Sequence, residues 1–265
     1  MRWPFAQKRD DKLDGLAHVL SATFQAKAAA ETRRWDKEWM RYFSMGKDYW
    51  FYFWDLSGNA CNLTAEPDEI AKLPAEKFFR FPLYKTIQGR VWVDGKDLVG
   101  KDVLEIGCGP GVFGRVTGRF AKSYTGVDVS KIALSIADLT SPKSCKYFHL
   151  YDPGGIESLA KSQDVCVGRH FFIHHNYEDS LWLLRFLRDL TRDGGLIIAD
   201  FFCDPATVDG KRRLDADADL QEKYPSAMYN FEDADVERIA KDAGLQIEKI
   251  EHRPEYSNRF VRFRV

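Results

Sequence analysis

The stretch from Val103 to Gly114, VLEIGCGPGVFG, sets a carboxylate, Glu105, inside a short apolar run and then places glycines at 107, 109 and 111. Such a run reads as a buried strand, and an unpaired carboxylate buried in one costs several kcal/mol. Glu105 must therefore face donors, such as the amides of the glycine turn or the ammonium of a ligand. Glycines straight after a strand let the backbone pass close to a bound group, because a Cβ there would stand in its way. Strand, glycine turn and helix in that order make a nucleotide-type site. The dinucleotide fingerprint GxGxxG needs its third glycine at 112, where this chain has Val112, so the spacing is GxGxG. A nucleotide-dependent oxidoreductase fits that spacing poorly, and nicotinamide dinucleotides offer no ammonium to Glu105.

A second group of chemically capable residues lies in GRHFFIHHNYED, which holds His170, His174 and His175. Histidine titrates near neutrality, so any of the three suits a general base, and any of them could equally cap or pack at a helix entry. His170 and His174 stand four apart, as metal ligands can, but no third ligand clusters with them and no metal is expected. Lys211, Arg212 and Arg213 could clamp an anion, although the acids that follow favour a solvated helix. Six consecutive aromatics, Tyr49 to Trp54, could line a site and more readily fill a core.

The elements that must position these groups follow from the alternation of apolar runs with amphipathic stretches after residue 99, the pattern of a parallel sheet with packed helices. Expected strands are Val103 to Cys108, Tyr124 to Val129, Lys146 to Leu150, Asp164 to Gly168, Leu196 to Phe202, Gln246 to Glu251 and Asn258 to Val265. Expected helices are Val112 to Lys122, Lys131 to Leu139, Tyr177 to Thr191 capped by Asn176, and Ala234 to Ala243 ended by Gly244. Only RPEYS separates the last two strands, which predicts an antiparallel pair at the sheet edge. The fold class is thus α/β, a Rossmann-like, seven-stranded, mostly parallel sheet with a C-terminal antiparallel hairpin. Residues 1–98, with a helix-prone start, read as a mainly helical N-terminal cap on a core of residues 99–265, and residues 203–230 read as a candidate lid at the carboxyl end of a strand.

The 265 residues suffice for a substantial core, and a net charge of −1 gives no general attraction to nucleic acid or to an anionic membrane. Five cysteines without a CxxC pair suggest neither a zinc ribbon nor a disulfide framework, which points to a reducing cytoplasm. No apolar run reaches the ~20 residues of a membrane span.

With these motifs in order, the sequence resembles the class I S-adenosylmethionine-dependent methyltransferases from about Leu98 onward. Their first motif is an acid-containing strand running into GxGxG, and YTGVDVS supplies the acid, Asp128, that ends the next strand. The resemblance implies that Asp128 accepts both ribose hydroxyls, a match that carboxylate chemistry favours. It further implies an acid near the adenine, here Asp152 in FHLYDPGG, and a Gly194-Gly195 bend before the fifth strand. Glu105, Gly107, Cys108, Gly109, Gly111, Asp128, Val129, Asp152, Gly168 and Arg169 are then the expected residues for S-adenosyl-L-methionine, and His170, His174 and His175 those facing the methyl. The motifs of DNA-base, cytosine-C5 and arginine methylation are missing, so the expected partner is a small-molecule acceptor, methylated on oxygen or nitrogen. A non-catalytic relative that senses the cofactor is the alternative.

Overall fold

The computed structural model describes residues 15–44, 93, 95–203, 229–253 and 258–265. The aromatic run at 49–54, the basic triplet at 211–213 and most of both proposed covering segments lie outside the described residues.

Seven strands form one sheet in the order β3-β2-β1-β4-β5-β7-β6. They are β1 (Asp102–Ile106), β2 (Ser123–Asp128), β3 (Cys145–His149), β4 (Gln163–Gly168), β5 (Thr191–Phe202), β6 (Gln246–Arg253) and β7 (Asn258–Arg264). β1 to β5 run parallel, while β7 inserts antiparallel between β5 and β6. The expected mostly parallel sheet with an antiparallel C-terminal pair is what forms. β1 lies inside the sheet, between β2 and β4, and VLEI is buried on both faces, as a strand covered by helices on both sides requires.

The helices are α1 (Gly15–Val19), α2 (Ala22–Ser44), α3 (Gly95–Leu98), α4 (Val112–Thr117), α5 (Lys131–Thr140), α6 (Pro153–Glu157), α7 (Tyr177–Leu190) and α8 (Asp233–Ala243). Asn176 caps α7 through the Asp179 amide, and Gly244, at φ 69°, ends α8 in the left-handed conformation that glycine tolerates. The helix expected at Val112 to Lys122 stops at Thr117. Gly118 follows, where a Cβ would come within 2.3 Å of the Cys145 sulfur, and tight turns carry the chain on to β2. Within the first half of β5 the pairing jumps from Gln163 opposite Thr191 to Val165 opposite Leu196, with Gly194 at φ 73° taking up the bend. The four described cysteines, Cys108, Cys145, Cys166 and Cys203, are all free thiols.

The N-terminal segment is continuous with this core. Val19 and Phe24 belong to the same buried cluster as Leu184, Phe186 and Leu187 of α7, and the Leu16 amide donates to Asp189 at 2.9 Å. α1 approaches α7 so closely that a Cβ on Gly15 would lie 1.8 Å from the Phe186 amide nitrogen. Gly15→Val should therefore force α1 off α7 and lower the stability by about 1–3 kcal/mol, the usual effect of overpacking. Urea unfolding measures it, and an unchanged midpoint would mean that α1 is not docked in solution.

Candidate active site

The carboxyl ends of β1, β2, β3 and β4 meet at one edge of the sheet, and the sequence motifs gather there. After β1 the chain turns through Gly107, Gly109 and Gly111 at φ 67°, 51° and 76°, a conformation that residues with a Cβ rarely adopt. Asp128, the last residue of β2, fixes this turn. One carboxylate oxygen accepts from the Gly109 amide at 2.9 Å and the other from the Ser130 amide at 2.8 Å, which also starts α5. Burial pushes the Asp128 carboxyl up to about 6, against the pull of the Ser130 and Gly109 amides. A carboxylate offers about four lone-pair sites, so capacity remains for further hydroxyl donors.

Glu105 finds donors other than the glycine amides or a ligand ammonium. It is 0 % exposed and takes hydrogen bonds from the Tyr124 hydroxyl and from Arg169 Nε at 3.2 Å. Burial pushes its carboxyl up to about 7 against the attraction of Arg169 and the Tyr124 hydroxyl. Arg169 is committed to the same pair, with its guanidinium over the Phe113 ring. Both residues form the floor beneath the turn. Cys108 points into that floor as well, and burial holds its thiol protonated, well above the usual range.

The remaining expected residues sit at neighbouring strand ends. The Val129 carbonyl accepts from His149 Nε2 at 2.8 Å, and Gly168 ends β4 against the Phe172 ring. Asp152 is exposed and caps α6 by accepting from the Gly155 amide at 3.3 Å.

The three histidines separate clearly. His175 packs 4.5 Å from the Phe171 ring, and burial, followed by the nearby His174, pushes it down to about 3, which leaves it a weak base. His174 sits in a 3₁₀ turn with its ring 5.8 Å from that of Trp35. His170 lies at φ 50°, left-handed for a residue with a side chain, and its ring remains 27 % exposed. Among the described residues no group of three or more His, Cys, Asp or Glu is placed to hold a metal ion, and no helix is long and apolar enough to cross a membrane.

Sequence reasoning missed the roof of the site, which α2 provides. Thr32 Oγ1 meets His149 Nε2 at 3.0 Å at the end of β3. Asp36 accepts from the Ser130 hydroxyl at 2.6 Å and the Ile132 amide at 3.1 Å just beyond β2, and the Trp39 ring lies over Gly109 just beyond β1. Positions 32, 36 and 39 share one helix face. Their span of seven residues, ~10.5 Å at the helical rise, matches two inter-strand spacings of ~9.6 Å. One straight helix thus crosses three strand ends in register. The i, i+4, i+7 placement of Thr, Asp and Trp was the available signal.

A model of the methyltransferase domain matches residues 82–250. Among curated relatives, the ubiquinone biosynthesis O-methyltransferase of Cupriavidus pinatubonensis is 27% identical over 170 residues, 59% of this chain and 65% of the relative. That of Azoarcus sp. is 33% identical over 104 residues, 35% of this chain and 40% of the relative. The chain thus spans less than two thirds of the length of these relatives. Among solved structures, the S-adenosylmethionine dependent methyltransferase from Mesorhizobium loti aligns over 74% of this chain and 100% of its own with a TM-score of 0.50. At 17% identity that likeness is one of fold.

The α2 latch has a direct test. Asp36→Ala removes a charged acceptor from two donors, and each such bond is worth about 1–3 kcal/mol. Amide exchange across residues 22–44 should then speed up about tenfold or more while the sheet stays protected. Unchanged exchange would mean that Asp36 does not hold the helix down.

Proposed function

Because the chain belongs to the methyltransferase-domain family, we propose that it transfers a methyl group from S-adenosylmethionine to an oxygen of a small molecule. The single observation that carries this reading is the buried Asp128 carboxylate at the tip of β2, tied to a left-handed glycine turn and retaining acceptor capacity. The residues fit the cofactor. Asp128 would take its ribose hydroxyls, the backbone from Gly107 to Gly111 would line its methionine part, and Val129, Asp152 and Gly168 would border it near the ends of β2, β3 and β4. Glu105 and Arg169 act from beneath, holding the turn in shape. Bound there, the cofactor supplies a methyl group on a sulfonium, open to in-line attack.

Oxygen is preferred over nitrogen because the curated relatives carry O-methyltransferase names. An alcohol or phenol acceptor must lose its proton as its oxygen takes the methyl, and His170 is the base best placed to receive it. His175 is too weak a base, and His174 lies against the Trp35 ring of α2. Holding His170 at φ 50° costs about 1–2 kcal/mol, a strain that accumulates at working sites. On this reading the core 99–265 supplies the cofactor half and the acceptor side falls to the expected cap, residues 1–98, and lid, residues 203–230, in the cytoplasm and without nucleic acid or membrane.

Calorimetry should show S-adenosylhomocysteine binding and no comparable binding of NAD, and tight NAD binding would overturn the assignment. His170→Gly should lower turnover about a hundredfold or more, the typical contribution of a general base. The same change should raise the unfolding free energy by about 1 kcal/mol, since glycine accepts the left-handed backbone. Wild-type turnover in that variant would remove His170 from the mechanism. Tight cofactor binding with no acceptor in a broad screen of small hydroxyl compounds would leave a cofactor sensor instead.

A further inference from the structure

One acid remains outside this account. Asp200 stands in the apolar run LIIADFF of β5, 1 % exposed, one residue past the point where Ala199 pairs with Gly168 of β4. It is therefore level with the turn that carries Arg169 and His170. Its Oδ2 accepts from the His170 amide at 3.0 Å and from Asn258 Nδ2 of β7 at 3.2 Å. The other oxygen, Oδ1, is buried and has no hydrogen-bond partner among the described residues. The His170 ring nitrogen Nδ1 lies 4.0 Å from Oδ2, so an approach of about 1 Å makes a hydrogen bond. A buried carboxylate with one oxygen unused is costly to keep, and a core strand needing only shape would carry an apolar residue there.

We propose that Asp200 is a positioning residue for the methyl transfer: it fixes the left-handed turn at His170 through the backbone amide and orients the imidazole through Nδ1. The inference rests on the methyltransferase reading, with His170 as base. With Nδ1–H directed at the carboxylate, Nε2 is the nitrogen that takes the acceptor's proton as the acceptor oxygen bonds the methyl carbon and the sulfur–carbon bond breaks. The imidazolium that results faces a carboxylate, and its proton then leaves to water. Among the described residues, the charged groups facing Asp200 are Arg169 and His170 of the turn after β4, Arg169 being already paired with Glu105 of β1; β7 contributes the neutral amide of Asn258. Burial pushes the Asp200 carboxyl up to about 7, close to the ordinary histidine range, so the two groups should titrate as a coupled pair.

Asp200→Asn keeps an acceptor for the His170 amide and nearly the same shape, and it removes the charge. In protein saturated with S-adenosylhomocysteine, NMR titration of the His170 ring should move down by about one pH unit in this variant. Turnover should fall about tenfold or more, while the affinity for S-adenosylhomocysteine stays within twofold. An unmoved ring titration would overturn the proposal and leave Asp200 as a clamp on the turn. If the variant fails to fold, the wild type decides alone. The His170 ring and a carbon-13-labelled Asp200 carboxyl should titrate through the same two steps, and one independent step for each would overturn the coupling. Both readouts are independent of any acceptor, so a missing methyl transfer activity and a failed pairing of Asp200 with His170 give different results.

Discussion

The carboxylate of Asp128 is the constraint on which the rest of the site depends. By accepting from Gly109 on one side and Ser130 on the other, it ties the turn after β1 to the start of α5. Without it two buried amides would lose their partner, and the turn, with three residues at positive φ, would lose its tie to α5. Asp36 of α2 then bonds to the hydroxyl of the same Ser130, so the roof is hung from the element that Asp128 organises. The ends of β1 and β2 and the helix above them form one connected hydrogen-bond system.

Beneath that system, three buried acids share one physical condition. Asp128, Glu105 and Asp200 all lie at the carboxyl edge of the sheet, and burial pushes each carboxyl well above its ordinary value. They differ in what compensates them. Backbone amides serve Asp128, a guanidinium and a phenol serve Glu105, and a turn amide and a side-chain amide serve Asp200, whose other oxygen has no hydrogen-bond partner among the described residues. The compensation sorts their roles in the proposed chemistry. Glu105, fully buried and paired with a guanidinium and a phenol, supports the floor, whereas Asp128 and Asp200 stand near strand ends beside the turns that face the site.

The sheet was legible because each strand carries its own local signal. A continuous apolar run marks a strand covered on both faces, and the short RPEYS link between the last two permits only an antiparallel return. Glu105 was recognisable as an acid out of place, but its partners were not, because Tyr124 and Arg169 lie 19 and 64 residues further on and meet it only through the sheet. The reasoning that singled out Glu105 applies equally to Asp200 in LIIADFF. It stayed hidden behind the Gly194-Gly195 bend, which drew the reading of that segment. The roof was the least legible part, since Thr32, Asp36 and Trp39 acquire meaning only when the helix is laid across β3, β2 and β1.

The central claim is that Asp128, in its ionised form, holds the ribose hydroxyls of the cofactor. In the free protein its carboxyl sits at about 6, and hydroxyl donors favour the charged acceptor, so binding is linked to loss of a proton and must strengthen as the pH rises. The direct measurement is the affinity for S-adenosylhomocysteine by calorimetry at pH 5 and pH 7, for the wild type and Asp128→Asn. The wild type should tighten about tenfold across that interval, as a single group titrating near 6 dictates, and the variant should lose most of that dependence. A wild-type affinity that does not change with pH, or an equal rise in the variant, would contradict the account.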